Sequence, residues 1–186
     1  VMMVGDAFHP NLVVQPRKAY VVVHPDTTSI PFIKNLVMML GALPLPSCKT
    51  GYRNFTAAIK TRIEQGRAVV IYPEAHLWPM YTGIRNFKSD SFLYPLMYGA
   101  PVFCTTTVLK KRRVRKQPKV IIYVDGPFLP DPALSTAENK QKLRDEVHAV
   151  MCERAKESDY DRVKYIKAEP SPAAEEETDE KVSEIA

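Results

Sequence analysis

A chain of 186 residues supplies one core of ordinary size and too little material for two comfortable domains. Apolar residues at 45% and charged residues at 25% exclude both a wholly disordered chain and a membrane bundle. The net charge of +5 conceals an asymmetry: residues 168–186 hold seven acids and one lysine, a net of −6, which leaves +11 on residues 1–167. A body this basic suits a phosphate-bearing partner. The tail, with Pro170, Pro172 and almost no large apolar side chain, is expected to be a disordered acidic segment over 168–186. Cys48, Cys104 and Cys152 are widely spaced and form no Cys-x-x-Cys pair, which suits a reducing compartment and gives no zinc motif. The chain starts at Val1 with no basic-then-apolar leader, and this start reads as a cut edge.

In chain order, the β-branched run at 19–24, closed by Pro25 and Asp26, predicts a buried strand ending in a turn. Residues 32–40 predict a short apolar helix stopped by Gly41, and 42–46 an extended piece. Phe55, Ile59 and Ile63 recur at i, i+4, i+8 and predict an amphipathic helix ending at Gly66, followed by a strand at 68–72. The 19 residues 91–109 carry no charge and match a membrane span in length. Pro95, Gly99, Pro101 and the threonines 105–107 divide them instead into a helix at 89–98 and a strand at 101–109. A further strand is predicted at 120–124. Ser135 and Glu138 then form a capping box ahead of Leu143, Val147, Val150 and Met151 at helical spacing. Alternating strands and helices predict a single α/β domain over 1–160, with a mixed, mostly parallel sheet flanked by helices and no membrane-spanning helix.

One block carries chemistry. A strand runs into Tyr72-Pro73-Glu74-Ala75-His76, and a carboxylate just past a strand end lies where open α/β sheets present their sites. Val70-Ile71-Tyr72-Pro73-Glu74 resembles the Phe-Pro-Glu-Gly-Thr-Arg block of the glycerolipid acyltransferases, the 1-acylglycerol-3-phosphate O-acyltransferase family. Ala75, His76 and Leu77 stand where that family has Gly, Thr and Arg. Ile30-Pro31-Phe32 through Leu45 is similar to the family's second block, whose closing Arg aligns near Ser47. Arg85-Asn86-Phe87-Lys88 followed by Gly99-Ala100-Pro101-Val102 is similar to its later stretch. The family's His-x-x-x-x-Asp block falls by spacing at the start of the chain, with Asp6 as its Asp; its His would fall at the position held by Val1 or just upstream, so the sequence from Val1 onward is expected to keep the fold and the binding groups but to lack the catalytic base.

The resemblance implies a fatty acyl transfer from acyl-CoA or acyl carrier protein to a lysophospholipid or glycerol-phosphate acceptor, in phospholipid biosynthesis. In that chemistry a His takes the proton of the attacking hydroxyl and the Asp, here Asp6, fixes its tautomer. Glu74 is the implied acceptor-binding carboxylate. Lys49, Arg53, Arg85 and Lys88 are the candidate phosphate contacts. The resemblance implies no cofactor beyond the acyl donor; no metal is expected, since His24 reads as a strand-end residue and His9 and His148 have no partner at metal-ligand spacing. The implied location is peripheral, at the cytoplasmic face of a membrane.

Plainer readings stand beside these. Asp6 also reads as a solvated turn residue, Glu74 as a helix cap, and His76 as a surface or core histidine. The run at 110–116 (Lys-Lys-Arg-Arg-Val-Arg-Lys) reads as a solvated loop, as a contact for an anionic membrane surface, or as a nucleic-acid patch. The last is not expected, since no aromatic residue is interleaved for base stacking. The altered block at 75–77 also leaves open a non-catalytic, lipid-binding relative of the family.

Overall fold

Three short apolar segments make the parallel sheet. Strand β1 (Ala19–Val23) lies between β2 (Ala42–Pro44) and β3 (Ala68–Val70), with Val21 opposite both Ala42 and Val70. Parallel neighbours require crossover connections. Helix α2 (Ile33–Met39) supplies the first and α3 (Lys49–Glu64) the second. The computed structural model describes residues 9–25, 33–74, 81–115, 117–160, 163 and 165. Asp6, His76 and the acidic segment 168–186 lie outside the described residues.

The turn from α2 into β2 requires glycine. Gly41 has φ +103°, and a Cβ there would stand 2.7 Å from the Ala19 carbonyl oxygen. Its own carbonyl accepts from Val21 N–H at 2.9 Å, so the turn is fastened to the central strand. A short helix not anticipated from sequence, α1 (His9–Val13), precedes β1. From it, Asn11 Oδ1 accepts the Ala19 N–H at 3.0 Å, satisfying the first donor of the central strand.

The uncharged 91–109 stretch divides as its prolines and glycine dictate. A 3-10 turn at Asp90–Phe92 leads into α4 (Leu93–Tyr98), Gly99 closes it in the left-handed region, and β4 (Val102–Lys110) follows. Among the described residues no helix is long and apolar enough to cross a membrane. Strand β4 pairs antiparallel with β5 (Lys119–Phe128), and in the described residues this ribbon forms a separate two-stranded sheet. β5 extends past the anticipated end because Gly126, at φ +130°, lets the chain pass Val102, whose carbonyl oxygen lies 2.8 Å from where a Cβ would be. The molecule is therefore an α/β domain, parallel in its first sheet and flanked by helices, as the alternation of elements predicts.

Helix α5 (Thr136–Ala155) starts at the anticipated capping box. Ser135 Oγ accepts Glu138 N–H at 3.3 Å, and Glu138 Oε2 accepts Ser135 N–H at 2.8 Å. Its buried stripe repeats every fourth residue through Asn139, Leu143, Val147, Met151 and Ala155. Leu143, Val147 and Met151 join Phe87, Phe92 and Cys104 in one core; Leu43, Phe55 and Ile59 form a second one under the parallel sheet. Helix α4 serves both, with Leu96 in the first and Tyr94 and Tyr98 in the second. Asn139 is the buried polar member, and it is fully used: Oδ1 accepts Asp131 N–H at 2.7 Å, and Nδ2 donates to the carbonyls of Asp131 and Leu134.

Thr106, on the inward face of β4, is the opposite case. It is 1% exposed and its hydroxyl has no hydrogen-bond partner among the described residues. A buried hydroxyl without a partner costs about 1–3 kcal/mol. Thr106→Val is therefore expected to stabilise the fold by about 1 kcal/mol, read as a higher denaturant midpoint at constant m-value. A lower midpoint would show that the hydroxyl is satisfied.

Candidate functional site

Glu74 leaves β3 through Ile71, Tyr72 and Pro73 and is half-buried. The backbone N–H of Arg85, eleven positions further on, donates to its Oε2 at 3.3 Å. Glu74 thereby fastens the backbone at Arg85; the residues it would cap as a helix start lie outside the described residues. Among the described residues no donor bonds its second carboxylate oxygen, and Arg85 is itself half-buried.

At the same edge of the sheet, β2 runs out through Leu45, Pro46 and Ser47 into α3. Cys48 is the N-cap, its Sγ accepting Gly51 N–H at 3.4 Å, and the helix begins at Lys49, six residues before the first apolar position of the anticipated helix. Gly51 permits the close entry, since a Cβ there would meet Pro46 Cβ at 3.1 Å. Lys49 and Arg53 are therefore helical, exposed and at i, i+4, neighbours on one face of the first turns. An open depression of about 390 Å³ is lined by Pro46, Ser47, Cys48, Lys49 and Tyr52, with no acid in its wall. A lysine at the N-terminus of a 16-residue helix is suited to an anion, because the first-turn N–H groups lack internal acceptors and the helix dipole adds to the charge.

Strand β1 separates β2 from β3, so these two exits stand about 10 Å apart at normal strand spacing. Glu74 and Arg85 are brought together directly; Lys49 and Arg53 form the second group. Lys88 is exposed and belongs to neither. Its neighbours Asn86 and Phe87 are gripped from α5 by Arg144, whose Nε donates to the Phe87 carbonyl at 2.8 Å and whose Nη2 bonds Asn86 Oδ1. Arg144 is a positioning residue for the 84–88 segment, and helical periodicity alone gives no signal for it. Tyr52 and Tyr94 were likewise not singled out. Tyr94 packs edge-on against Phe55, and burial together with its hydrogen bond to Tyr52 pushes its hydroxyl up to about 12.

A larger hollow of about 570 Å³ lies between β5 and the end of α5, lined by Asp125, Val150, Glu153, Arg154, Lys156 and Glu157. Its cations are spent. Arg154 grips Asp125 through two bonds, at 2.7 and 3.1 Å, and lies 4.4 Å from the Tyr123 ring; Lys156 pairs with Glu153. The Arg154 guanidinium holds the Asp125 carboxyl below its usual range. With three acids against two bases in its wall, this hollow is a poor phosphate site and reads as a clamp between helix and ribbon. Cys104 offers no nucleophile either, since burial pushes its thiol up to about 11. Among the described residues no group of three or more His, Cys, Asp or Glu could hold a metal ion.

This arrangement of parallel strands flanked by helices is similar to the fold of a solved acyltransferase. A solved structure it resembles is the 1-acyl-sn-glycerophosphate (LPA) acyltransferase PlsC from Thermotoga maritima, at a TM-score of 0.52 and 17% identity over 81% of this chain. The match covers 59% of that enzyme's chain, so this sequence spans less than two thirds of it. No protein-family model and no curated protein sequence matches the chain.

Proposed function

We propose that residues 1–160 form an acyltransferase domain that moves a fatty acyl group from acyl-CoA or acyl carrier protein to a lysophospholipid or glycerol-phosphate acceptor. The observation that carries this reading is the half-buried Glu74, held by Arg85 N–H at the exit of a parallel strand in an acyltransferase-like fold. The acceptor hydroxyl attacks the thioester carbonyl; the new C–O bond replaces the C–S bond, and the hydroxyl proton passes by way of an imidazole to the departing thiolate. Asp6 is the residue proposed to orient that imidazole. Glu74 accepts a hydrogen bond from the acceptor, and Arg85, whose backbone N–H holds Glu74, is the candidate to contact the acceptor's phosphate. Lys49 and Arg53, with the N–H groups of α3, form the other anion contact.

The test is acceptor-dependent release of thiol from an acyl thioester by the protein at its full encoded length. Turnover that requires the lysophospholipid supports the reading; lipid binding with no turnover favours the non-catalytic relative, to which the substitutions Ala75, His76 and Leu77 point. Neutralising Lys49 and Arg53 together to Gln is expected to raise KM for a phosphate-bearing acceptor about tenfold, the loss of one or two charge-assisted contacts. The KM of an acceptor analogue lacking phosphate should not move. An equal rise for both analogues would count against a phosphate role.

A further inference from the structure

We propose that the β4–β5 hairpin docks the protein on an anionic lipid bilayer, with Val114 entering the headgroup layer between arginines that bind lipid phosphates. The hairpin is a cation projection. Residues 110–119 contain seven Lys or Arg and no acid. On helices α3 and α5 several cations are matched to carboxylates: Lys60 to Glu64, Lys140 to Asp90, Lys142 to Asp131 and Glu146, Arg154 to Asp125 and Lys156 to Glu153. Lys111, Arg112, Arg113 and Arg115 are exposed, and no carboxylate pairs with them among the described residues. Asp159 meets the hairpin at its backbone, its Oδ1 accepting the Lys111 N–H at 2.5 Å.

The strand register adds to this. The last rung of the ribbon sets Lys110 directly opposite Lys119, a like-charge cross-strand pair that is unfavourable until an anion lies between them. At the tip, flanked by Arg113 and Arg115, Val114 is 92% exposed. An apolar side chain held in water among guanidinium groups suits a surface with phosphates outside and hydrocarbon beneath. It gives nothing to a nucleic acid, for which the segment also lacks a stacking ring.

The hairpin root is fastened to the chain beyond α5: Asp159 N–H donates to the Leu109 carbonyl at 3.1 Å. The docking surface complements the acyl-transfer reading, and its binding test does not depend on turnover.

The test uses the full chain with vesicles of phosphatidylcholine alone and vesicles in which a third of the lipid is phosphatidylglycerol. Binding is expected only to the anionic vesicles and is expected to weaken as salt shortens the screening length below about 10 Å. Changing Lys110, Lys111, Arg112 and Arg113 together to Gln is expected to weaken it at least about a hundredfold. Changing Lys60, Lys140, Lys142 and Lys156 to Gln, the same loss of charge elsewhere, should leave it nearly unchanged. Val114→Ser, which alters no charge and disturbs no contact of the fold, should weaken vesicle binding by about threefold to tenfold. Equal affinity of the hairpin variant and the parent, equal binding to neutral vesicles, an unchanged Val114→Ser affinity, or displacement from vesicles by single-stranded RNA of matched charge would each overturn the proposal. Vesicle binding is measured without acyl donor, and turnover with detergent-dispersed acceptor, so the failure of either reading is visible apart from the other.

Discussion

In the protein at its full encoded length, Glu74→Gln is expected to turn over at least about tenfold more slowly than the parent while melting within about 2 °C of it, because a charge-assisted hydrogen bond to the acceptor is worth about 1.5–3 kcal/mol while glutamine still accepts from Arg85 N–H. The geometry makes the two halves of this expectation separable. Glutamine keeps a carbonyl oxygen that can accept from Arg85 N–H, so the loop closure seen at 3.3 Å survives, while the negative charge facing the acceptor is lost. Glu74→Leu removes both, and is expected to lower the melting temperature as well as the rate. If Glu74→Gln instead melts several degrees low at full activity, the carboxylate is a loop fastener and nothing more. Steady-state kinetics and a thermal melt on the same two variants decide it.

Leu143→Ala is expected to cost about 3–4 kcal/mol and to lower the melting temperature by about 10 °C. Leu143 is 0% exposed and lies among Phe87, Phe92, Cys104, Val147 and Met151, where rigid rings on one side and a helix fixed by its capping box on the other leave little scope for collapse into the void. Val150 lies on the same helix but is only partly buried, and Val150→Ala is expected to cost about 1 kcal/mol. Chemical denaturation of the two variants gives the comparison. Equal losses at both positions would mean that the helix is held by its propensity and cap, with the ribbon contributing little.

These expectations draw on different levels of the chain. What residues 1–186 dictate on their own is whatever depends on neighbours within a few positions. The β-branched run at 19–23 has no helical stripe to offer. Ser135 and Glu138 meet three residues apart, and Pro95, Gly99 and Pro101 cannot sit in one continuous span. Leu143, Val147 and Met151 fall on one side of any helix that contains them. The position of Glu74 past a strand was legible for the same reason.

Tertiary structure decided the rest. Lys49 and Arg53 became helical because Cys48, a weak cap in isolation, is held beside Pro46 at the exit of β2, and Gly51 allows that approach. Arg85 became Glu74's partner through a backbone N–H, a donor every residue but proline carries and which sequence therefore cannot single out. Asn139 entered a core stripe because three carbonyl and amide groups of the 131–134 turn wait there to offset its burial. Whether the cations at 110–115 would find carboxylates, as those of α5 do, depended on which acids the fold brings near them. Local chemistry sets which elements form; which polar groups meet across tens of residues is set only when burial forces each of them to find a partner.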